Sequence, residues 1–210
     1  MKKEIIIIGA DDAIELVEIS LQDKNYSIKG YLRQEKSNTG LSSKYPYLGD
    51  DSLISKKIFS NHYFVLALSL SERSKILSEC IIENEGHLIS IVHPSAVIYP
   101  SAEIANGTII LPNAIVSSMA VVGRCVNINY SVLVGHDVTV GNFSFLSPGV
   151  KLLGGSRIGS CCNIGTNAIV FPNVEVGEGC TIAANTVVTK NIPSGSTVIS
   201  QHGKNRILKG

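Results

Sequence analysis

Neither sign of charge dominates this chain of 210 residues: eighteen Lys and Arg stand against seventeen Asp and Glu, for a net charge of +1. Without a basic excess there is no electrostatic footprint for nucleic acid. Long apolar runs are missing as well. The run Ile5–Ile8 lies between Glu4 and Gly9, too short for the core of a signal peptide or for a membrane span, so a cytoplasmic protein with no membrane contact is expected. The five cysteines show no metal-ligand spacing. Histidine is equally sparse, with five in the chain.

What the sequence does have is a six-residue repeat. From Val92 to Val188 every sixth residue is Ile, Leu or Val, with no insertion and no exception. Four residues after each aliphatic comes a small or β-branched residue, such as Ala96, Ala114, Cys162, Ala168 or Cys180. Strand and helix periods of 2 and 3.6 cannot produce this pattern, whereas hexapeptides are a known β-helix period. Three hexads close one triangular coil of about eighteen residues, and coils stack at about 4.8 Å. The aliphatics point inward, and stacked coils share one core, as solenoids do. Cys162 and Cys180, eighteen residues apart, are expected as packed, unbridged thiols in adjacent coils.

Residues 1–91 read as a small α/β unit. Strands are expected at Glu4–Ile8, Tyr26–Leu32, Tyr63–Leu68 and His87–Val92. Helices are expected from Asp11 or Asp12 to about Leu21, over Ser52–Ile58 and over Ser71–Glu85, and Ser37–Ser43 is loop-like. Alternating strands and helices imply a parallel sheet with any ligand at the carboxyl ends of its strands. His93-Pro94 marks the junction. The repeat domain occupies 92–193, and 194–210 is a basic tail carrying Lys204, Arg206 and Lys209, expected as a solvated end or, in a sharper reading, near an anionic ligand.

Residues two places after each aliphatic form the corners of the prism. One edge reads Pro100, Ser118, His136, Gly154, Pro172, Lys190; the next includes Pro148, Thr166 and Ala184. His136 is the one histidine on any edge, and Asp137 follows it. Gly154 lies one rung away. A neutral imidazole there accepts a proton from an attacking amine or hydroxyl. The Gly154 N–H is placed to hold a thioester carbonyl and the oxyanion it becomes. Asp137 would fix the imidazole tautomer, and Asn129 adds a donor and an acceptor. Three metal ligands cannot be assembled around a single edge histidine, so no metal is expected.

The segments Ile91-Val92-His93-Pro94-Ser95-Ala96, Val134-Gly135-His136-Asp137-Val138-Thr139-Val140-Gly141, Leu146-Ser147-Pro148-Gly149-Val150 and Leu48-Gly49-Asp50-Asp51 resemble the NeuD/PglD-like sugar acyltransferases over nearly the whole chain. The resemblance implies a left-handed β-helix after an N-terminal Rossmann-like domain, and a homotrimer with active sites between subunits. It further implies acetyl transfer from acetyl-CoA to an amino sugar or a sialic acid. His136 then looks like the general base, Asp137 its orienting partner and Asn129 a substrate contact. Gly154 would be the backbone donor, with Thr166, Ala184, Lys190 and Lys204 as further coenzyme contacts.

Three departures bear on the substrate. Gly9-Ala10-Asp11-Asp12-Ala13 puts two carboxylates, Asp12 among them, where a pyrophosphate would approach the first helix. Arg33-Gln34 stands where the family has acidic residues, so nucleotide contact is expected to involve Arg33. Phe145 replaces a histidine that faces a 2-acetamido group, which favours a sugar with a plain 2-hydroxyl. The expected substrate is a nucleotide-linked 4-amino-4,6-dideoxy sugar. A sialic acid or sugar O-acetyltransferase and a non-catalytic scaffold are the alternatives.

Overall fold

Each hexad folds as a two-residue strand and a turn, and the strands stack in parallel at a separation of eighteen residues, as in Ile115↔Leu133 and Phe145↔Asn163. The computed structural model describes residues 3–9, 17–18, 26–36, 43–68, 71–201 and 204–209. Within it the hexads form three flat faces of a prism. A six-stranded face runs from Val97–Ile98 to Val187–Val188, and a five-stranded face from Glu103–Ile104 to Glu175–Val176. The third, eight-stranded, begins at Ile91–Val92. From Ile110 onward the inward aliphatics, among them Ile128, Val134, Leu146, Leu152 and Ile164, are buried in one continuous core, with Ile98 and Ile104 partly buried against it. Burying each such side chain is worth about 1.5–3 kcal/mol, which is what allows two-residue strands to hold.

The small inward residues also serve the turns. Thr108 Oγ1 and Ser144 Oγ donate to the carbonyls of Gly123 and Gly159 at 2.9 Å, and the thiols of Cys162 and Cys180 donate to Gly177 and Pro193 at 3.0 Å. The two cysteines are thus neighbours, buried and unbridged, as their spacing requires. Burial pushes the thiol of Cys125 up to about 11 and that of Cys162 up to about 12. Both stay protonated at neutral pH, and the thiolate is the reactive form. At pH 8 a thiol reagent is expected to label only the partly exposed Cys80 and Cys161 in the native protein, and all five cysteines after denaturation. Rapid native labelling of Cys162 would contradict this.

One turn position was not anticipated. The third residue after each aliphatic adopts positive φ in an unbroken series from Gly107 to Asn185. Glycine and asparagine suit that region, and they hold most of the series. Cys125, Phe143 and Cys161 depart from it and pack instead in an apolar cluster with Leu77, Ile81 and Leu88 of the N-terminal unit.

That unit holds a five-stranded parallel sheet in the spatial order Tyr47–Gly49, Tyr26–Leu32, Lys3–Gly9, Tyr63–Ala67, His87–Leu88. A helix over Ser71–Glu83 connects the last two. Ile5 and Ile7 on one side and Ile6 and Ile8 on the other feed separate clusters, both of which reach the prism. The Asn127 side chain donates to the Leu68 carbonyl at 3.1 Å and ties the sheet's carboxyl end to the eight-stranded face.

Three expectations are corrected. The strand placed at His87–Val92 is two: His87–Leu88 pairs with Tyr63–Phe64, while Ile91–Val92 pairs with Ile109–Ile110. The apolar run satisfies two sheets in turn. The helix placed at Ser52–Ile58 is a single 3-10 turn, Asp51–Ile54, because Lys57 and Asn61 take positive φ. The tail is not a loose end: Ser196–Gln201 joins Thr181–Ile182 in parallel and pairs antiparallel with Lys204–Lys209. Its alternation buries Val198 completely while Ile207 and Leu208 stay half-exposed. The helix expected over 11–21 lies outside the described residues except for Val17 and Glu18, as does most of the 37–43 loop.

Candidate active site

Corner residues are set apart by their backbone. Along the edges that carry His136 and Thr166, the residues on either side of His136 and Gly154 donate to a neighbouring coil, but these corner residues do not. Gly135 donates to Leu152 and Asp137 to Ser118, and Leu153 donates to Val170 and Gly155 to His136. Among the described residues, His136, Gly154, Thr166 and Ala184 make no such backbone bond. This is why Pro94, Pro100, Pro112, Pro148 and Pro172 are tolerated at the same position: no ladder donor is lost. It also leaves the Gly154 N–H unclaimed by the coil.

His136 stands where the six-stranded face turns into the five-stranded one. Asp137, at φ 58°, curls back so that its carboxylate meets the imidazole Nδ1 at 2.8 Å. Asp137 accepts the Nδ1–H, which leaves the Nε2 lone pair free to take a proton. The ring lies over Gly154: a Cβ built there would fall 2.4 Å from Nε2 and 2.5 Å from Cε1. Glycine is therefore demanded by the imidazole, not by the backbone angle. Nearer the core the demand is different. A Cβ on Gly141 would fall 2.4 Å from the Ser160 nitrogen, so there the next coil itself forbids a side chain. The His136 and Asp137 side chains are 69% and 63% exposed in the single chain, and Tyr99, Met119 and Phe171 put exposed apolar surface along the same edge.

The other expected residues divide between two edges. Lys190 is exposed on the His136–Gly154 edge. Thr166 and Ala184 are exposed on the edge between the eight- and six-stranded faces. One chain cannot bring the two groups together, because the whole six-stranded face separates them. Asn129 is buried, its amide donating to the Leu146 carbonyl at 3.0 Å, which leaves its side-chain oxygen as the group a ligand would meet. Phe145 is half-buried on the eight-stranded face, one rung from Asn127. Lys204 belongs to the terminal strand Lys204–Lys209. Asp12 lies outside the described residues.

A second feature lies at the carboxyl ends of the N-terminal strands. A cavity of about 430 Å3 is lined by Ile8, Gly9, Leu32, Arg33, Glu35 and Arg73, among others. Arg33, expected at the nucleotide, is present. Arg73 was not singled out from the sequence, although its place just after the strand Tyr63–Ala67 was a usable signal, since ligands of parallel sheets collect at carboxyl ends. Among the described residues no group of three or more His, Cys, Asp or Glu is close enough to hold a metal.

A family described as the hexapeptide repeat of succinyl-transferase matches residues 156–190. No curated protein matches the chain by sequence. Solved structures do. The acetyltransferase domain of PglB from Neisseria gonorrhoeae, in complex with acetyl coenzyme A, is 25% identical over 99% of this chain and 100% of that one, with a TM-score of 0.89. PerB from Caulobacter crescentus, in complex with CoA and GDP-perosamine, is 23% identical over 97% of each chain, with a TM-score of 0.87. WeeI from Acinetobacter baumannii is 24% identical over 99% of this chain and 100% of that one, with a TM-score of 0.83. The stacked parallel faces are thus those of hexapeptide acyltransferases, and the resemblance drawn from the sequence motifs is borne out.

Proposed function

We propose that this protein is an acetyl-CoA-dependent N-acetyltransferase acting on the 4-amino group of a nucleotide-linked 4-amino-4,6-dideoxy sugar. The observation that carries the reading is the pairing of an Asp137-oriented imidazole with Gly154, whose N–H is spared by the coil. The sugar amine attacks the thioester carbonyl carbon while His136 Nε2 takes the proton the amine sheds. The carbonyl oxygen becomes an oxyanion held by the Gly154 N–H, a kind of interaction worth most where charge develops. On collapse the C–S bond breaks, coenzyme A leaves as a thiolate, and the imidazolium returns the proton to it. The products are the acetamido sugar and free coenzyme A.

PglB and PerB, with acetyl coenzyme A or CoA bound and, in PerB, GDP-perosamine beside it, support the donor and the class of acceptor. The order of the N-terminal strands and the cavity at their carboxyl ends support a Rossmann-like use of that unit for the nucleotide. Phe145 cannot hydrogen-bond a 2-acetamido group, which supports a sugar with a 2-hydroxyl.

The site calls for a second copy of the chain. The six-stranded face presents Val97, Ile115 and Val187 outward at 51%, 37% and 40% exposure, apolar surface interrupted by the exposed Lys151 and bounded by the two edges that hold His136 and Thr166. Packing these faces about a three-fold axis would set the His136–Gly154 edge of one subunit against the Thr166–Ala184 edge of the next. Light scattering is expected to return the mass of a trimer. The double change Val97→Lys, Ile115→Lys should yield a folded monomer with at most about a hundredth of the activity, in line with the loss expected when catalytic groups are no longer held in place. An active monomer would contradict the shared site.

The reading is tested by incubating the protein with acetyl-CoA and a panel of dTDP-, GDP- and UDP-linked 4-amino sugars, with the matching 4-hydroxy sugars and a sialic acid alongside. Thiol release with an amino sugar alone is expected. Release with hydroxyl acceptors alone would make it an O-acetyltransferase, and release with none would leave a scaffold.

A further inference from the structure

We infer that the groove between the helix Ser71–Glu83 and the prism edge opposite the six-stranded face binds a phosphate group, on the peptide N–H groups of Asn142 and Ser160 and between Lys75 and Arg124.

That edge joins the five- and eight-stranded faces and stacks Arg124, Asn142, Ser160 and Glu178 one rung apart. The helix runs along it. Glu79 meets Arg124 at 3.9 Å, while Glu72 and Lys75, earlier in the helix, lie close enough to the Cys161 thiol to act on it electrostatically. Here lies a cavity of about 590 Å3, lined by Lys75, Arg124, Asn142, Ser160, Cys161 and Glu178, among others. Packing three six-stranded faces together leaves this edge on the outside. The cavity is therefore separate from the two edges that hold His136 and Thr166.

The peptide groups of this edge fall into two kinds. The Arg124 N–H donates to the Asn142 side-chain oxygen at 2.9 Å, and the Glu178 N–H to the Ser194 hydroxyl oxygen at 3.1 Å. Between them, the N–H groups of Asn142 and Ser160 have no acceptor among the described residues. They stand one rung apart, about 4.8 Å, and unclaimed peptide N–H groups side by side form a concavity that suits an anion.

Side chains add to this. Asn142 gives its oxygen to Arg124, which leaves its amide nitrogen as a donor, and the exposed Lys75 brings an ammonium. Arg124 is held over the Phe143 ring, 4.9 Å from its centre, and beside Glu79. A guanidinium with one carboxylate partner keeps donors for phosphate oxygens, and charge-assisted bonds of this kind are about twice as strong as neutral ones. The carboxylate of the lining is Glu178, which opposes the anion and limits how tightly it is held.

Proline is native to equivalent corners, as at Pro148 and Pro172, so Ser160→Pro removes one of the two N–H groups without costing a ladder bond. Calorimetric titration of the full chain at constant ionic strength, with inorganic phosphate and with glucose 1-phosphate, compares wild type with Lys75→Met, Ser160→Pro and Glu178→Gln. Acetyl-CoA is the control ligand. Wild type should bind at least one of the two phosphates, and the preferred one tells whether the groove takes a free anion or an ester. Lys75→Met and Ser160→Pro should each weaken binding about tenfold, the scale of a hydrogen bond to a charged group. Glu178→Gln should tighten it about threefold, the scale of an exposed charge interaction. Acetyl-CoA affinity should be the same in all four proteins. Should Ser160→Pro fail to fold, Lys75→Met and the gain in Glu178→Gln carry the comparison. No phosphate binding by wild type, unchanged affinity in Lys75→Met, weaker binding by Glu178→Gln, or equal losses for phosphate and acetyl-CoA would each overturn the inference. No acetyl acceptor enters the titration, so its outcome is independent of the transferase reaction proposed above.

Discussion

Alanine in place of His136 is expected to lower kcat for acetyl transfer at least about a hundredfold, the lower range for a lost acid–base catalyst, or about 2.7 kcal/mol of barrier. The thermal midpoint should stay put. The His136 side chain is 69% exposed and contributes nothing to the prism core, so its removal leaves no cavity behind. The KM for acetyl-CoA should change little, since in the proposed mechanism the imidazole acts on the amine's proton and not on the coenzyme's binding groups. Steady-state kinetics with both substrates varied separates these outcomes. Unchanged turnover would remove His136 from the chemistry.

Gly154→Ala should cost nearly as much for a different reason. The backbone at Gly154 does not need positive φ, so alanine fits the chain. Its methyl group does not fit the imidazole, because the Cβ would fall 2.4 Å from His136 Nε2. The ring must swing off the corner, and a catalytic group misplaced by about 1 Å can lose about a hundredfold in rate. The N–H at residue 154 is retained, so the loss reports the displaced base and not a missing oxyanion donor. The fold should hold, with a thermal midpoint within about 2 °C of wild type. A fully active Gly154→Ala enzyme would mean that the ring works from another position.

The repeat domain was legible because its physics is local and periodic. An unbroken hexad from Val92 to Val188 fixes which side chains point inward and which residues become vertical neighbours. His136 over Gly154, and Cys162 beside Cys180, follow from an offset of eighteen residues. The N-terminal strands at Tyr26–Leu32 and Tyr63–Ala67 were legible from apolar runs between turn residues.

Other features depended on partners that no local pattern records. His87–Val92 reads as one strand because it is a nearly continuous apolar run, yet its halves pair with different sheets. The tail hairpin needs the open edge at Thr181–Ile182 before its alternation has a sheet to join. Asn129 is expected as a ligand contact, and the structure adds that its amide donates to the Leu146 carbonyl, leaving the side-chain oxygen for that role. Arg73 acquires its place only through residues distant in sequence, pairing with Asp51 and lining one cavity with Arg33.

The central claim is that imidazole and glycine act as one unit, and a double-mutant cycle measures it directly. Compare kcat for His136→Ala, Gly154→Ala and the chain carrying both changes. If Gly154 matters through the ring it seats, the double variant should be no slower than His136→Ala alone, because the displaced group is already gone. Losses that multiply, leaving the double variant about a further hundredfold slower, would show that the two residues act independently and that the corner is not a single catalytic site.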